Sequence, residues 1–127
     1  MTDPAQDFAD RLTTFEQDRD LDAFVTSAFS PDVVLLRPET GQELTGHEGA
    51  RTFWSEYLTT FEQVRSTFSR VQEGAVGVLE WTSEARLAGG RDITYRGASL
   101  LDVDEHGLVS RFATYSDTRL FQPQTTA

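Results

Sequence analysis

The chain has 127 residues, a formal net charge of −10, no Cys and no Lys, so that all eleven of its Lys-plus-Arg cations are Arg. The acidic balance argues against nucleic acid and anionic membranes as partners, because no basic stripe exists to displace counterions from phosphates. Without Cys or Lys the chain has no disulfide, no thiolate chemistry and no Schiff base, and with His47 and His106 as its only histidines, neither with a spaced partner, it shows no metal site.

The length predicts a single domain over 1–127, large enough to bury roughly two thirds of its unfolded surface. No apolar run exceeds a few residues, Val33-Val34-Leu35-Leu36 being typical. The sequence therefore predicts neither a membrane span nor a signal peptide, and a cytoplasmic location.

The first predicted helix covers about 4–18, with Phe8, Leu12 and Phe15 at helical spacing, and a second covers about 20–29 with Leu21, Phe24, Val25 and Ala28. A strand from Val33 to Arg37 ends at Pro38, and a polar crossing through Gly41 and Leu44 leads to Gly46. Phe53, Trp54, Tyr57, Leu58 and Phe61 then recur at three- and four-residue intervals in a helix over about 47–62, His47 preceding it as a solvated loop residue. Strand patterns follow at about 64–72, 75–87, 92–103 and 108–117. Their links, Glu73-Gly74, Gly89-Gly90 and Asp104-Glu105-His106-Gly107, are hairpin signals. Helices followed by an antiparallel meander predict an α+β fold: a cone-shaped, strongly curved antiparallel sheet whose N-terminal helices roof a pocket.

Hairpin register then assigns the sheet faces. A two-residue turn at Gly89-Gly90 pairs Glu84 with Tyr95, Thr82 with Gly97 and Glu80 with Ser99. A four-residue turn at 104–107 pairs Ser99 with Phe112 and Gly97 with Thr114. The inner face then collects Val76, Val78, Glu80, Thr82, Tyr95, Ser99, Leu101, Phe112 and Thr114, and the outer face Leu79, Trp81, Arg96, Leu100, Arg111, Ala113, Tyr115 and Asp117.

The segments "GHEGARTFW", "VLEW", "YRGASLLDVDEHGLVSRF" and "TYSD", in the order helix, helix, strand, helix and meander, resemble the nuclear transport factor 2-like superfamily, closest to its SnoaL-like branch. That resemblance covers a core at about 8–121 and implies a curved sheet around a helix-roofed pocket, often with dimerisation through the outer sheet face. It is compatible with polyketide cyclases, isomerases, epoxide hydrolases, dehydratases and non-enzymatic adaptors alike. Limonene-epoxide-hydrolase-like members carry an Arg-x-Asp pair on the strand that here reads Glu80-Trp81-Thr82-Ser83, and the cyclases an Asp on the last strand, where Thr114 and Asp117 are the nearest positions.

On this reading Glu80 is the central pocket carboxylate, its proton affinity raised by desolvation if unpaired, or neutralised by an arginine such as Arg65 if structural. Tyr95 and Tyr57 are hydroxyl donors for a carbonyl oxygen, or amphipathic core residues. Trp54, Trp81 and Phe112 would stack on a flat ligand beside Thr82, Ser99 and Thr114 or serve core or interface packing, the register placing Trp81 on the outer face. Asp117 is either a catalytic group or the cross-strand partner of Arg96. The expected function is cofactor-independent acid–base chemistry, such as isomerisation, cyclisation or dehydration, on a small hydrophobic or aromatic molecule. The competing expectation is a non-catalytic ligand-binding or adaptor domain. A homodimer would bury Leu79, Trp81, Leu100, Ala113 and Tyr115.

Overall fold

A computed structural model describes residues 3–116. Two helices, α1 (Pro4–Asp18) and α2 (Leu21–Ala28), lead into strands β1 (Phe29–Arg37) and β2 (Gln42–Thr45). Helix α3 (Gly46–Thr60) then runs without a loop into β3 (Phe61–Gln72), followed by β4 (Gly77–Leu87), β5 (Asp92–Val103) and β6 (Val109–Ser116). One six-stranded sheet has the order β2-β1-β6-β5-β4-β3, antiparallel except for the parallel pair β1–β6. This is the α+β architecture of helices against one sheet that the sequence predicts. Strand β2 replaces the polar crossing, and β1 begins at Phe29 rather than Val33.

Local chemistry sets the helix ends. Pro4 opens α1, where its missing N–H is no loss, and the N–H groups of Ala5 and Gln6 donate to the Glu73 carboxylate at 2.9 and 3.0 Å. Arg19 ends α1 in the left-handed region at φ 56° and donates to the carbonyls of Leu58 (2.7 Å) and Phe61 (3.2 Å). Leu58 lies in the last turn of α3 and Phe61 opens β3, so Arg19 fixes the α3–β3 junction against the end of α1. His47 lies in the first turn of α3, half-buried, with Nε2 2.8 Å from the Phe29 carbonyl oxygen; the expectation of a solvated loop residue is corrected because β1 runs alongside.

The core lies between the helices and the inner sheet face. Phe15 stacks on Phe24 at 4.5 Å, Trp54 meets Phe24 edge-on at 5.1 Å, and Phe112 packs on Phe8 at 5.5 Å and on Phe53 at 5.7 Å. Such offset and edge-to-face pairs add to the stabilisation from burial alone.

Register decides which residues belong to that core. Leu87 N–H donates to the Arg91 carbonyl at 2.8 Å, and Gly90 takes φ 91°, which makes a three-residue loop of the predicted two-residue turn. Leu79 then pairs with Ser99, Trp81 with Gly97 and Ser83 with Tyr95. A one-residue slip turns every side chain of a strand over. Accordingly Leu79 is 1% exposed in the core, while Glu80 and Thr82 belong to the outer face. Glu80 is ion-paired with Arg70 at 3.7 Å, its side chain 48% exposed, and Arg65 pairs instead with Glu84 at 3.4 Å.

The last hairpin differs twice and keeps its faces. Its loop is one residue shorter than predicted, with Asp104 N–H on the Leu108 carbonyl at 2.8 Å, and a bulge between Asp102 and Val103 adds a second shift. Ser99 pairs with Thr114 and Leu101 with Phe112, so Tyr95, Ser99, Phe112 and Thr114 stay on the inner face. Asp117 lies outside the described residues.

Candidate functional site: a polar-ended aromatic cavity

Between α3 and the inner face lies a cavity of about 230 Å³. A dry cavity of about 150 Å³ accommodates benzene, and drug-sized ligands occupy about 300–1,000 Å³, so the space suits one or two rings. Phe53, Trp54 and Tyr57 from α3 face Phe61, Trp81, Tyr95 and Phe112 from the sheet across it. Trp81 belongs to this wall rather than to an outer face, its indole over Gly97.

One end of the cavity, where Tyr57, Ser66, Ser83 and Tyr95 line it, is polar. Glu16 from α1 is 7% exposed and accepts three hydrogen bonds: Ser66 N–H at 2.8 Å, Ser66 Oγ–H at 2.6 Å and Tyr57 O–H at 2.6 Å. Ser66 Oγ is also 2.6 Å from Ser83 Oγ, and Tyr95 shares side-chain hydrogen bonds with Ser83 and Tyr57. Burial raises the Glu16 carboxyl above its usual 4.5, outweighing the hydrogen bonds from Ser66 and Tyr57 that favour its ionised form. Tyr57 is pushed well up, first by burial and then by the nearby Glu16 charge, and Tyr95 rises chiefly through burial. Both phenols therefore stay protonated at neutral pH. Glu16 stands behind Tyr57 and Ser66 rather than lining the cavity itself, and it borders a second groove lined by Arg19, Arg65, Arg86, Glu62, Glu84 and Asp92.

Further along the same face, Trp81 Nε1–H donates to Ser99 Oγ at 3.0 Å, and Ser99 Oγ is 3.0 Å from Thr114 Oγ1. Arg37, from the end of β1, also lines the cavity; it lies over the Phe53 ring at 3.9 Å and pairs with the half-exposed Glu56 at 3.3 Å.

Of the residues singled out by sequence, Trp54, Tyr57, Tyr95, Ser99, Phe112 and Thr114 line this one cavity. Glu80 and Thr82 do not, because the β4 slip places them outside. Sequence reasoning missed Glu16, Ser66, Ser83 and the cavity position of Trp81. Glu16 carried a signal all the same: it stands four residues after Leu12 and eight after Phe8, on the apolar stripe of α1, where a carboxylate needs a partner.

A family model described as the SnoaL-like domain matches residues 6–112. The chain belongs to the SnoaL-like family. Solved structures agree with that fold. The NTF2-like protein of Burkholderia pseudomallei K96243 is 22% identical with a TM-score of 0.77, each chain covered to 93%. TerC, co-crystallised with polyporic acid, is 22% identical with a TM-score of 0.78, over 93% of this SnoaL-like chain and 95% of TerC. RV0760c of Mycobacterium tuberculosis, in complex with estradiol-17beta-hemisuccinate, is 16% identical with a TM-score of 0.74, over 89% and 93%. No curated protein sequence matches the chain at a significant level. Among the described residues, no helix of this SnoaL-like protein is long and apolar enough to cross a membrane.

Proposed function

We propose that the cavity receives a small, mostly apolar ring compound and that Glu16, acting through Tyr57, accepts a proton from it without a cofactor, in an isomerisation, cyclisation or dehydration. The observation that carries this reading is a buried carboxylate 2.6 Å from a phenol that lines an aromatic cavity. A proton leaving the ligand passes to the Tyr57 oxygen as Tyr57's own proton passes to Glu16, so the tyrosine stays neutral and the negative charge moves from Glu16 to the ligand. The raised proton affinity of Glu16 brings it closer to that task. Glu16 takes over the role that the sequence suggested for Glu80. TerC was co-crystallised with polyporic acid and RV0760c forms a complex with estradiol-17beta-hemisuccinate, which supports a small-molecule ligand for this fold.

The test is exchange of the α-hydrogens of 2-indanone in D₂O, followed by NMR. The protein is expected to accelerate exchange over buffer, and Glu16→Gln to reduce that acceleration by about 10² or more. A protein that binds 2-indanone and exchanges it no faster than buffer would instead be a non-catalytic ligand-binding domain.

Self-association through the outer sheet face is a second part of the proposal. Leu79 and Trp81 have left that face, but the register aligns Leu36, Ala113, Leu100 and Val78 in one row across four strands, with Tyr115, 40% exposed, beside it. Ala113 is already buried and Leu36, Leu100 and Val78 are half-exposed, and a half-exposed apolar row of this kind is what a sheet-on-sheet dimer covers. Sedimentation at micromolar concentration is expected to give a dimer for the parent chain and a monomer for Leu100→Arg; a monomeric parent removes this part of the proposal.

A further inference from the structure

The hydrogen-bond protons at the two ends of the cavity can be counted, and the counts differ. At the Glu16 end the carboxylate takes the protons of Tyr57 and of the Ser66 hydroxyl. With its own proton spent, Ser66 Oγ can only accept from Ser83 at 2.6 Å. Tyr95, bonded to Ser83 and Tyr57, then finds both of their protons committed, and its own single proton can serve only one of the two contacts. The hydroxyl protons of Tyr57, Ser66 and Ser83 thus point toward Glu16, and what these three hydroxyls turn to the cavity is oxygen lone pairs.

At the other end Trp81, Ser99 and Thr114 bring three polar protons to two hydrogen bonds. Whichever way the Ser99–Thr114 bond runs, one hydroxyl proton is left over among the described residues. Tyr95 and Ser99 stand four residues apart on β5, about 13 Å between Cα atoms, a separation that the length of the tyrosine side chain shortens toward the span of a bicyclic ring.

We propose that the cavity is polarised along its length, an acceptor at the Glu16 end and a donor at the Ser99–Thr114 end, and that it selects a ring compound with a hydroxyl at one extremity and a carbonyl at the other. Glu16 is the residue that determines the first preference. Its charge draws the surrounding protons to itself, and in a confined, desolvated site each mismatched polar group loses a hydrogen bond without solvent to replace it. The inference rests on the reading of the cavity as a ligand site and adds the polarity of the ligand.

Four probes of one shape test it by calorimetry at pH 8: indane, 5-indanol, 1-indanone and 5-hydroxy-1-indanone. The hydroxyketone is expected to bind about tenfold more tightly than either singly substituted compound, since a net hydrogen bond is worth about 0.5–1.5 kcal/mol and 1.4 kcal/mol is a factor of ten. In Glu16→Gln the amide N–H₂ donates where the carboxylate accepted and reverses the proton order. The gain from the hydroxyl should then vanish while the gain from the carbonyl stays. Equal binding of all four probes to the parent chain overturns the polarity and leaves the ligand site standing. Binding of none overturns the ligand site as well. An undiminished hydroxyl gain in Glu16→Gln overturns the assignment to Glu16, and if that variant does not fold, the parent's own ranking of the four probes still decides the polarity.

Discussion

Gly97→Ala is expected to lower stability by about 3 kcal/mol and to abolish binding of ring compounds in the cavity. A β-carbon on Gly97 would lie 2.5 and 2.7 Å from the Cζ2 and Cη2 atoms of Trp81 and closer still to the Tyr115 carbonyl oxygen. The indole could swing aside, but only into the cavity it walls, and the Tyr115 carbonyl belongs to the backbone of the neighbouring strand. In an ordinary strand the same replacement stabilises by about 0.5–1 kcal/mol, because glycine loses more conformational freedom on folding. The sign is therefore diagnostic. Urea denaturation of the two proteins, with quenching of Trp54 and Trp81 fluorescence by 1-indanone as the binding readout, decides it. A variant as stable as its parent would mean that Trp81 does not lie over Gly97.

Glu16→Ala is expected to cost about 3 kcal/mol or more, because it leaves three buried donors, Ser66 N–H, Ser66 Oγ–H and Tyr57 O–H, without their acceptor. Glu16→Gln keeps the volume and one acceptor oxygen and should lose less. The pH dependence separates charge from shape. The Glu16 carboxyl titrates above 4.5 in the folded protein because burial disfavours its charge, so between 4.5 and the folded value the native state holds more protons than the unfolded chain. Stability from this group is therefore full at pH below 4.5 and falls as pH rises through that window, opposite to the usual acid unfolding of a paired carboxylate. Melting temperatures of the parent and of Glu16→Gln, compared from pH 4 to 8, should show the parent losing ground to the variant as pH rises. Parallel curves would mean that Glu16 is not desolvated.

Most helices and strands could be placed from local pattern. The stripe Phe8, Leu12, Phe15 and the aromatic repeat from Phe53 to Phe61 mark α1 and α3, and four strand patterns lie within a few residues of β3 to β6. What that pattern could not supply was one residue of register at Gly89-Gly90. Both a two-residue and a three-residue loop suit adjacent glycines, and the choice decides whether Glu80 or Trp81 faces inward. The final hairpin escaped the same error only because its shorter loop and its bulge shift register in the same direction by one residue each, which restores the face.

By itself, then, the sequence determined the elements, the α+β layering and an aromatic interior, since each follows from periodicity within one segment. The tertiary structure alone decided which carboxylate is buried. Glu16 reaches Tyr57 and Ser66 across 41 and 50 residues of chain, and its neighbours are set by how α1, α3 and β3 converge. A helix's own spacing can reveal that a charge faces inward. Only the packing of other elements supplies the donors that make burying it tolerable, and those donors make the charge a candidate for chemistry.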